Sequence, residues 1–159
     1  MTSDDDSHFL HEAIALAKSS VEQGGGPFGA IVTRDGEIIG RGHNSVISDS
    51  DPSAHAEVNA IRDAARRLGR PHLDDCVLYS SCEPCPMCLA TSLWARIPRI
   101  VYAADHTQAT RTGFDDTPIA MTLYGAPQPA HCERLQHHPI SESGEPFELW
   151  LAKADRTPY

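Results

Sequence analysis

Ser81-Cys82-Glu83-Pro84-Cys85-Pro86-Met87-Cys88 is the stretch from which the rest of the chain can be read. Cys76 to Ser81 before it reads as a buried strand, and Cys85 to about Ala95 reads as a helix. Cys85 and Cys88 therefore open a helix directly after a strand. Three residues apart, they share one helix face. Pro86 between them is harmless in a first turn, where its missing N–H has no partner to lose. The positive end of the helix dipole favours thiolates there, the form that binds metal. Earlier in the chain stands His55-Ala56-Glu57. Two residues apart mid-helix, His55 and Glu57 would face different ways; at a helix N-terminus aimed into a cavity, both can reach one pocket. A catalytic zinc site takes three protein ligands and keeps one position open for water. His55, Cys85 and Cys88 supply three, and Glu57 is left as an acid and base beside them.

Other readings of these cysteines fit less of the sequence. A redox Cys-x-x-Cys pair leaves His55-Ala56-Glu57 unexplained. An iron–sulfur run built on Cys82, Cys85 and Cys88 needs a fourth cysteine where Ser92 stands. A closed structural zinc site would recruit Cys82 as fourth ligand and leave no room for water. His8, His11, His72, His106, His131, His137 and His138 have no ligand spacing and read as surface histidines.

Working outward, Phe9, Leu10, Ala13, Ile14, Ala17 and Val21 form the apolar stripe of a helix from about Ser7 to Val21, capped by Asp6 or Ser7. Gly24-Gly25-Gly26-Pro27 ends it; the glycines lack the lysine of a phosphate loop and read as a turn. Phe28 to Arg34 and Glu37 to Gly42 are strands joined by Asp35-Gly36, a hairpin signal. His43 to Ser53 is a polar loop, and Ser53 is placed to cap a helix from Ala54 to Leu68 that Gly69 and Pro71 terminate. Arg99 to Ala104 is a strand and Thr107 to Arg111 a short helix. Beyond it lie weaker signals: a helix over Pro118 to Leu123, a strand over Cys132 to Gln136 and a last helix over Glu145 to Ala154. Thr122 to Glu142 matches nothing assignable. Strands alternating with helices indicate an α/β sandwich with an antiparallel hairpin first and parallel strands later.

At 159 residues the chain suits one domain, residues 1–159. No apolar run approaches the ~20 residues of a membrane span. The acidic Met-Thr-Ser-Asp-Asp-Asp start has no signal-peptide character, and five cysteines, three of them within seven residues, favour reduced thiols serving a metal. Both set the expectation of a cytoplasmic protein. Net charge is −9, with 22 acids against 13 bases. That disfavours a nucleic-acid partner, which is gripped with Lys and Arg. Arg62, Arg66, Arg67 and Arg70 read as a solvated helix face.

His-x-Glu followed by Pro-Cys-x-x-Cys is the signature of the zinc nucleobase deaminases. Adding Pro27-Phe28-Gly29-Ala30, Asn44, Trp94, Gly113-Phe114-Asp115-Asp116 and the terminal Tyr159, nearly the whole chain resembles the bacterial guanine deaminases of the cytidine deaminase-like superfamily. That resemblance implies a three-layer α/β/α sandwich around a mixed five-stranded sheet. It implies Zn2+, hydrolytic deamination of guanine to xanthine and ammonia, and a homodimer that exchanges its C-terminal segment. It places Ala56 among the substrate-binding residues and has Asn44 hydrogen-bond the purine. Asp115 would accept from donors on the base, and Asp116 would relay protons beside Glu57. Phe28, Trp94 and Tyr159 would wall the pocket, with the origin of Tyr159 open between its own chain and the partner. A carboxylate, acceptor only, suits the N1–H and amino edge of guanine, and flat aromatics suit a flat base. On their own, Phe28 fits a core as well as a wall, Asp115 and Asp116 fit a helix cap, and Tyr159 fits a frayed end. Another nucleobase, a nucleoside, an amino-triazine or a tRNA adenosine remain the alternative substrates.

Overall fold

The structure, a computed structural model, describes residues 2–159. β1 (Gly29–Arg34) pairs antiparallel with β2 (Glu37–His43) on one side and with β3 (Val77–Cys82) on the other. β4 (Arg99–Ala104) and β5 (Leu135–His137) continue the sheet in parallel with β3, giving the order β2-β1-β3-β4-β5. Asp35 and Gly36 both adopt positive φ, 51° and 78°. That is the backbone a two-residue hairpin turn demands.

Alternation along the strands builds a core on each face. Ala30, Val32, Leu78 and Ile100 point to the side covered by α3 (Ala56–Leu68) and α4 (Pro86–Trp94), where Ala60, Ile61, Ala64 and Leu89 meet them. Ile31, Tyr79, Val101 and Ala103 point to the other side and pack on Phe9, Leu10 and Ile14 of α1 (Ser3–Glu22). α7 (Glu145–Ala152) lies against α1. Two buried faces on one sheet make the three-layer α/β/α sandwich, because each helix can bury only one stripe. The remaining helices are short: α2 (Val46–Asp49), α5 (His106–Arg111) and α6 (Thr117–Tyr124).

Two glycines let α3 sit close to the sheet. A Cβ on Gly42 would lie 2.3 Å from the Ala56 carbonyl oxygen, and one on Gly40 would lie 2.5 Å from that of Ala60. The N-terminus of α3, which carries His55 and Glu57, is thereby pressed onto β2.

Several boundaries move from their sequence expectation. α1 starts at Ser3 with Thr2 as its cap, not Asp6 or Ser7: the Thr2 hydroxyl accepts from Asp5 N–H and the Asp5 carboxylate accepts from Thr2 N–H. Asp6 is buried instead, at 5% exposure, and accepts from the Tyr79 hydroxyl (2.8 Å) and from the Arg99 guanidinium (2.8 Å). Ser53 does not cap α3 either. Its hydroxyl bonds Asp51, and His55 itself is the cap residue. A short helix, α2, interrupts the polar loop, and β5 lies about three residues later than expected.

The Arg99 hydrogen bond, above all, holds the Asp6 carboxyl below its ordinary value. A depressed carboxyl contributes stability above its unfolded value of ~3.9 and loses it as pH falls through the folded one. Arg99→Ala strands a buried carboxylate and is expected to cost about 3 kcal/mol in urea unfolding at pH 7, with the deficit shrinking below pH 4. An equal deficit at both pH values would contradict that origin.

Candidate metal centre and active site

The C-terminal ends of β3 and β4 and the N-termini of α3 and α4 converge on one spot. His55 is the N-cap residue of α3 and Cys85 that of α4, and neither side chain caps its helix. Both are free to point into the same space. Pro86 occupies the first turn of α4, as the spacing requires. His55 Nδ1 lies 3.5 Å from Cys85 Sγ and 3.5 Å from Cys88 Sγ, and the two sulfurs are 3.6 Å apart. The point equidistant from such a triangle lies about 2 Å from each corner, close to the ~2.0–2.1 Å of Zn–N and the ~2.3 Å of Zn–S bonds. A cation there has one side free. The donor set fits zinc, and it is the one group of histidine, cysteine and acid side chains with such geometry among the described residues. Cys82 is not in it; this third cysteine is buried in the cavity wall.

The thiols are already divided. The hydrogen bond from Cys88, reinforced by His55 and set against burial, pulls Cys85 down to about 4. Cys88 moves the other way, because Cys85 and burial both oppose a second thiolate. Glu57 is 6% exposed. Burial, and then the Cys85 thiolate, push its carboxyl up to about 7. A carboxyl that exchanges a proton near neutrality is suited to general acid–base work.

A cavity of about 260 Å³ opens over this centre, with His55, Glu57 and Cys85 in its floor. Phe28 and Phe114 meet edge to face at 5.0 Å, and Phe114 lies 5.2 Å from Tyr159. All three rings line it. Phe28 also packs on Phe147, so it serves wall and core together. Asn44, 1% exposed, holds the Val46 N–H with its Oδ1 at 3.2 Å and hydrogen-bonds the Tyr159 phenol. Burial pushes that phenol far above its ordinary value. Tyr159 thus reaches the cavity of its own chain, passing so near Gly26 that a Cβ there would collide with its hydroxyl.

Asp115 and Asp116 both line the cavity but differ in surroundings. Asp115 is exposed and its Oδ1 accepts from Thr117 N–H at 3.0 Å, as a helix-start residue does. Asp116 is half-buried and makes no capping bond; burial first, then Cys85, raise its carboxyl. Two expected residues are not brought to the wall. The Ala56 side chain lies wholly in the core between α3 and the sheet. Trp94 is 83% exposed at the far end of α4, a helix that rises ~1.5 Å per residue away from Cys85. One residue read as a surface histidine belongs to the wall. His106 follows β4 directly and is paired with Glu83 at the end of β3. Its signal was positional: it ends the strand that runs beside the metal-site strand, where open α/β sheets place their ligands.

The comparisons with known proteins agree with this geometry. Residues 3–104 match the model of the cytidine and deoxycytidylate deaminase zinc-binding region. The chain belongs to that deaminase family. It is 46% identical to guanine deaminase of Bacillus subtilis, covering 95% of this chain and 97% of that one. A crystal structure of the Bacillus subtilis guanine deaminase superposes with a TM-score of 0.72 at 44% identity, covering 96% of this chain and 98% of the other. The tRNA-specific adenosine deaminase of Aquifex aeolicus is 35% identical over 92% of this deaminase and 93% of its own length.

Proposed function

We infer that this deaminase is a zinc-dependent guanine deaminase, converting guanine and water to xanthine and ammonia. The observation that carries the reading is the near full-length likeness to a guanine deaminase, joined to a His-Cys-Cys centre under a small aromatic cavity. Zinc, held by His55, Cys85 and Cys88, supplies Lewis-acid activation of water. The base lies against Phe28, Phe114 and Tyr159, and Asn44 and the Ala56 backbone orient it. Asp115 keeps one oxygen for donors on the guanine edge. Glu57 takes a proton from the attacking water, gives it to a ring nitrogen and later protonates the departing ammonia, with Asp116 relaying protons beside it.

A free base fits this reading better than a tRNA. Net charge is −9, and each arginine of the densest basic run except Arg66 already faces an aspartate: Arg62 with Asp51, Arg67 with Asp63, Arg70 with Asp74 and Asp75. Ammonia release from guanine, guanosine, adenine, cytosine and a tRNA anticodon stem tests the choice. Guanine is expected to be turned over at least about a hundredfold faster than the rest; tRNA as the preferred substrate would reverse it.

The chain acts as one domain and as a homodimer. Leu93 and Trp94 of α4 and Ile119, Met121 and Leu123 of the neighbouring α6 are all more than 40% exposed, an apolar face unlike a monomer surface. Pairing through this face brings Trp94 toward a neighbouring cavity, and the segment after Ala152 is the one two chains exchange. Trp94→Asp is expected to shift a sedimenting dimer to monomer; a wild type that sediments as a monomer contradicts it. No helix among the described residues is long and apolar enough to cross a membrane. All five cysteines are free, in keeping with a reducing cytoplasm.

A further inference from the structure

Glu83 stands inside the metal-site motif yet two residues before its first ligand, and the reaction above leaves it without a task. Its backbone N–H bonds the Ala104 carbonyl at 2.8 Å, which carries the β3–β4 pairing past the last ladder residues. That register sets Glu83 beside His106, the first residue of α5. The Glu83 side chain is only 9% exposed. A carboxylate so buried needs partners, since leaving it unpaired costs several kcal/mol. It has three. Oε2 accepts from the His106 backbone N–H at 2.9 Å and faces His106 Nδ1 at 3.1 Å, while Oε1 accepts from Gln128 Nε2 at 2.9 Å.

The cluster fixes a tautomer. A carboxylate only accepts, so the proton of a neutral His106 ring sits on Nδ1. The Gln128 amide nitrogen, 3.0 Å from the same Nδ1, is a donor as well; its hydrogen goes to Glu83, and it packs the ring without bonding it. Nε2 is the ring nitrogen left without a protein partner among the described residues. The surroundings of that ring are acidic: Glu83 behind it, and Asp115 and Asp116 within electrostatic reach across the cavity. Asp116 has no hydrogen bond of its own to a helix end. Glu83, His106 and Asp116 together form the partition between the 260 Å³ cavity and a second, water-sized one of about 20 Å³ lined by Gln128 and Tyr124.

We propose that His106 is a positioning residue for Asp116: Glu83 and Gln128 lock its ring, and Nε2 is the contact, direct or through one water, that holds the Asp116 carboxylate toward the substrate. This gives Gln128 a purpose. It comes from the stretch Thr122 to Glu142 that matches no motif, and it is the side chain by which that stretch touches the wall of the site. The same arrangement, a buried carboxylate fixing Nδ1–H so that Nε2 faces the reacting groups, is the orienting device of hydrolase triads.

His106→Asn separates this role from a merely structural one. Its amide can replace Nδ1–H toward Glu83 but offers nothing in place of Nε2. In the zinc-loaded enzyme, zinc content and melting temperature are expected to stay at wild-type level and KM to change less than about threefold. The expected fall in kcat is about ten- to a hundredfold, the size of a misplaced reacting group. Wild-type kcat in a folded His106→Asn would overturn the proposal. The kinetic half rests on the guanine reading; a second measurement does not. Nitrogen-15 NMR of the zinc-loaded wild type should show His106 with its proton on Nδ1, and Asp116→Asn should move the Nε2 resonance. An Nε2–H tautomer, or an Nε2 shift indifferent to Asp116→Asn, would overturn the placement whatever the substrate proves to be.

Discussion

Glu57→Gln in the zinc-loaded protein is expected to lose about a thousandfold or more in kcat while the metal and the fold remain. Glutamine matches the shape of glutamate and removes only the ability to carry a proton, and positioned acid–base groups contribute about 10²–10⁴-fold. The site is arranged around that ability. Glu57 is buried beside the metal ligands, its carboxyl is raised to about 7, and its neighbours are a thiolate and an imidazole. Because burial is the main cause of the rise, the amide side chain sits there at least as comfortably as the acid, so Glu57→Gln should melt no lower than wild type. Steady-state kinetics together with metal analysis check both halves. A variant that keeps its zinc and turns over within tenfold of wild type would remove Glu57 from the proton transfers.

Loss of the metal is expected to have an effect of the same order. A zinc-free protein should release no ammonia above background and should regain turnover when zinc is restored. Cys88→Ala should fail to regain it. The division of charge between the two thiols adds a readout apart from activity. Cys85, near 4, enters as thiolate at pH 7, whereas Cys88 is held as thiol. Uptake of zinc at pH 7 should therefore expel about one proton per ion from Cys88, with more from any protonated His55. Affinity should fall as pH falls, because protons then compete for the same atoms. Calorimetry in buffers of different ionisation enthalpy counts those protons. Zinc binding with no proton release, or turnover by a protein verified to be zinc-free, would contradict the assignment of the ligands.

Legibility of the fold followed the physics of each segment. Asp35-Gly36 announces its hairpin because few other pairs tolerate positive φ at both positions. The β3 and β4 segments are buried on both faces and read as continuous apolar runs. The ends of elements were harder. Asp6 resembles a helix cap by type, but its pairing with Arg99, 93 residues away in sequence, makes it an interior acid. Thr2 takes the capping role through Asp5, a short-range pair hidden among the three successive aspartates. At α3, Ser53 has the right chemistry for a cap, but that position falls to His55, whose side chain is committed to the centre.

The site divides in a similar way. His55, Glu57, Cys85 and Cys88 were legible because metal chemistry restricts residue type and spacing together. Asn44, Phe28 and Tyr159 reach the cavity where the resemblance placed them, but no local spacing would have found them. Trp94 failed because its exposure depends on where α4 ends and on which surface of the helix meets a neighbour. His106 was missed because a lone histidine gains meaning only from what lies across it, here the Glu83 carboxylate on the adjacent strand.

The most direct test is to give the zinc-loaded protein guanine in water enriched in oxygen-18 and to weigh the product. Hydrolytic deamination by the Glu57 site yields xanthine carrying one heavy oxygen, and one ammonia for each xanthine. If guanine is recovered unchanged under conditions where the protein holds its zinc, the assignment of guanine as the substrate is wrong.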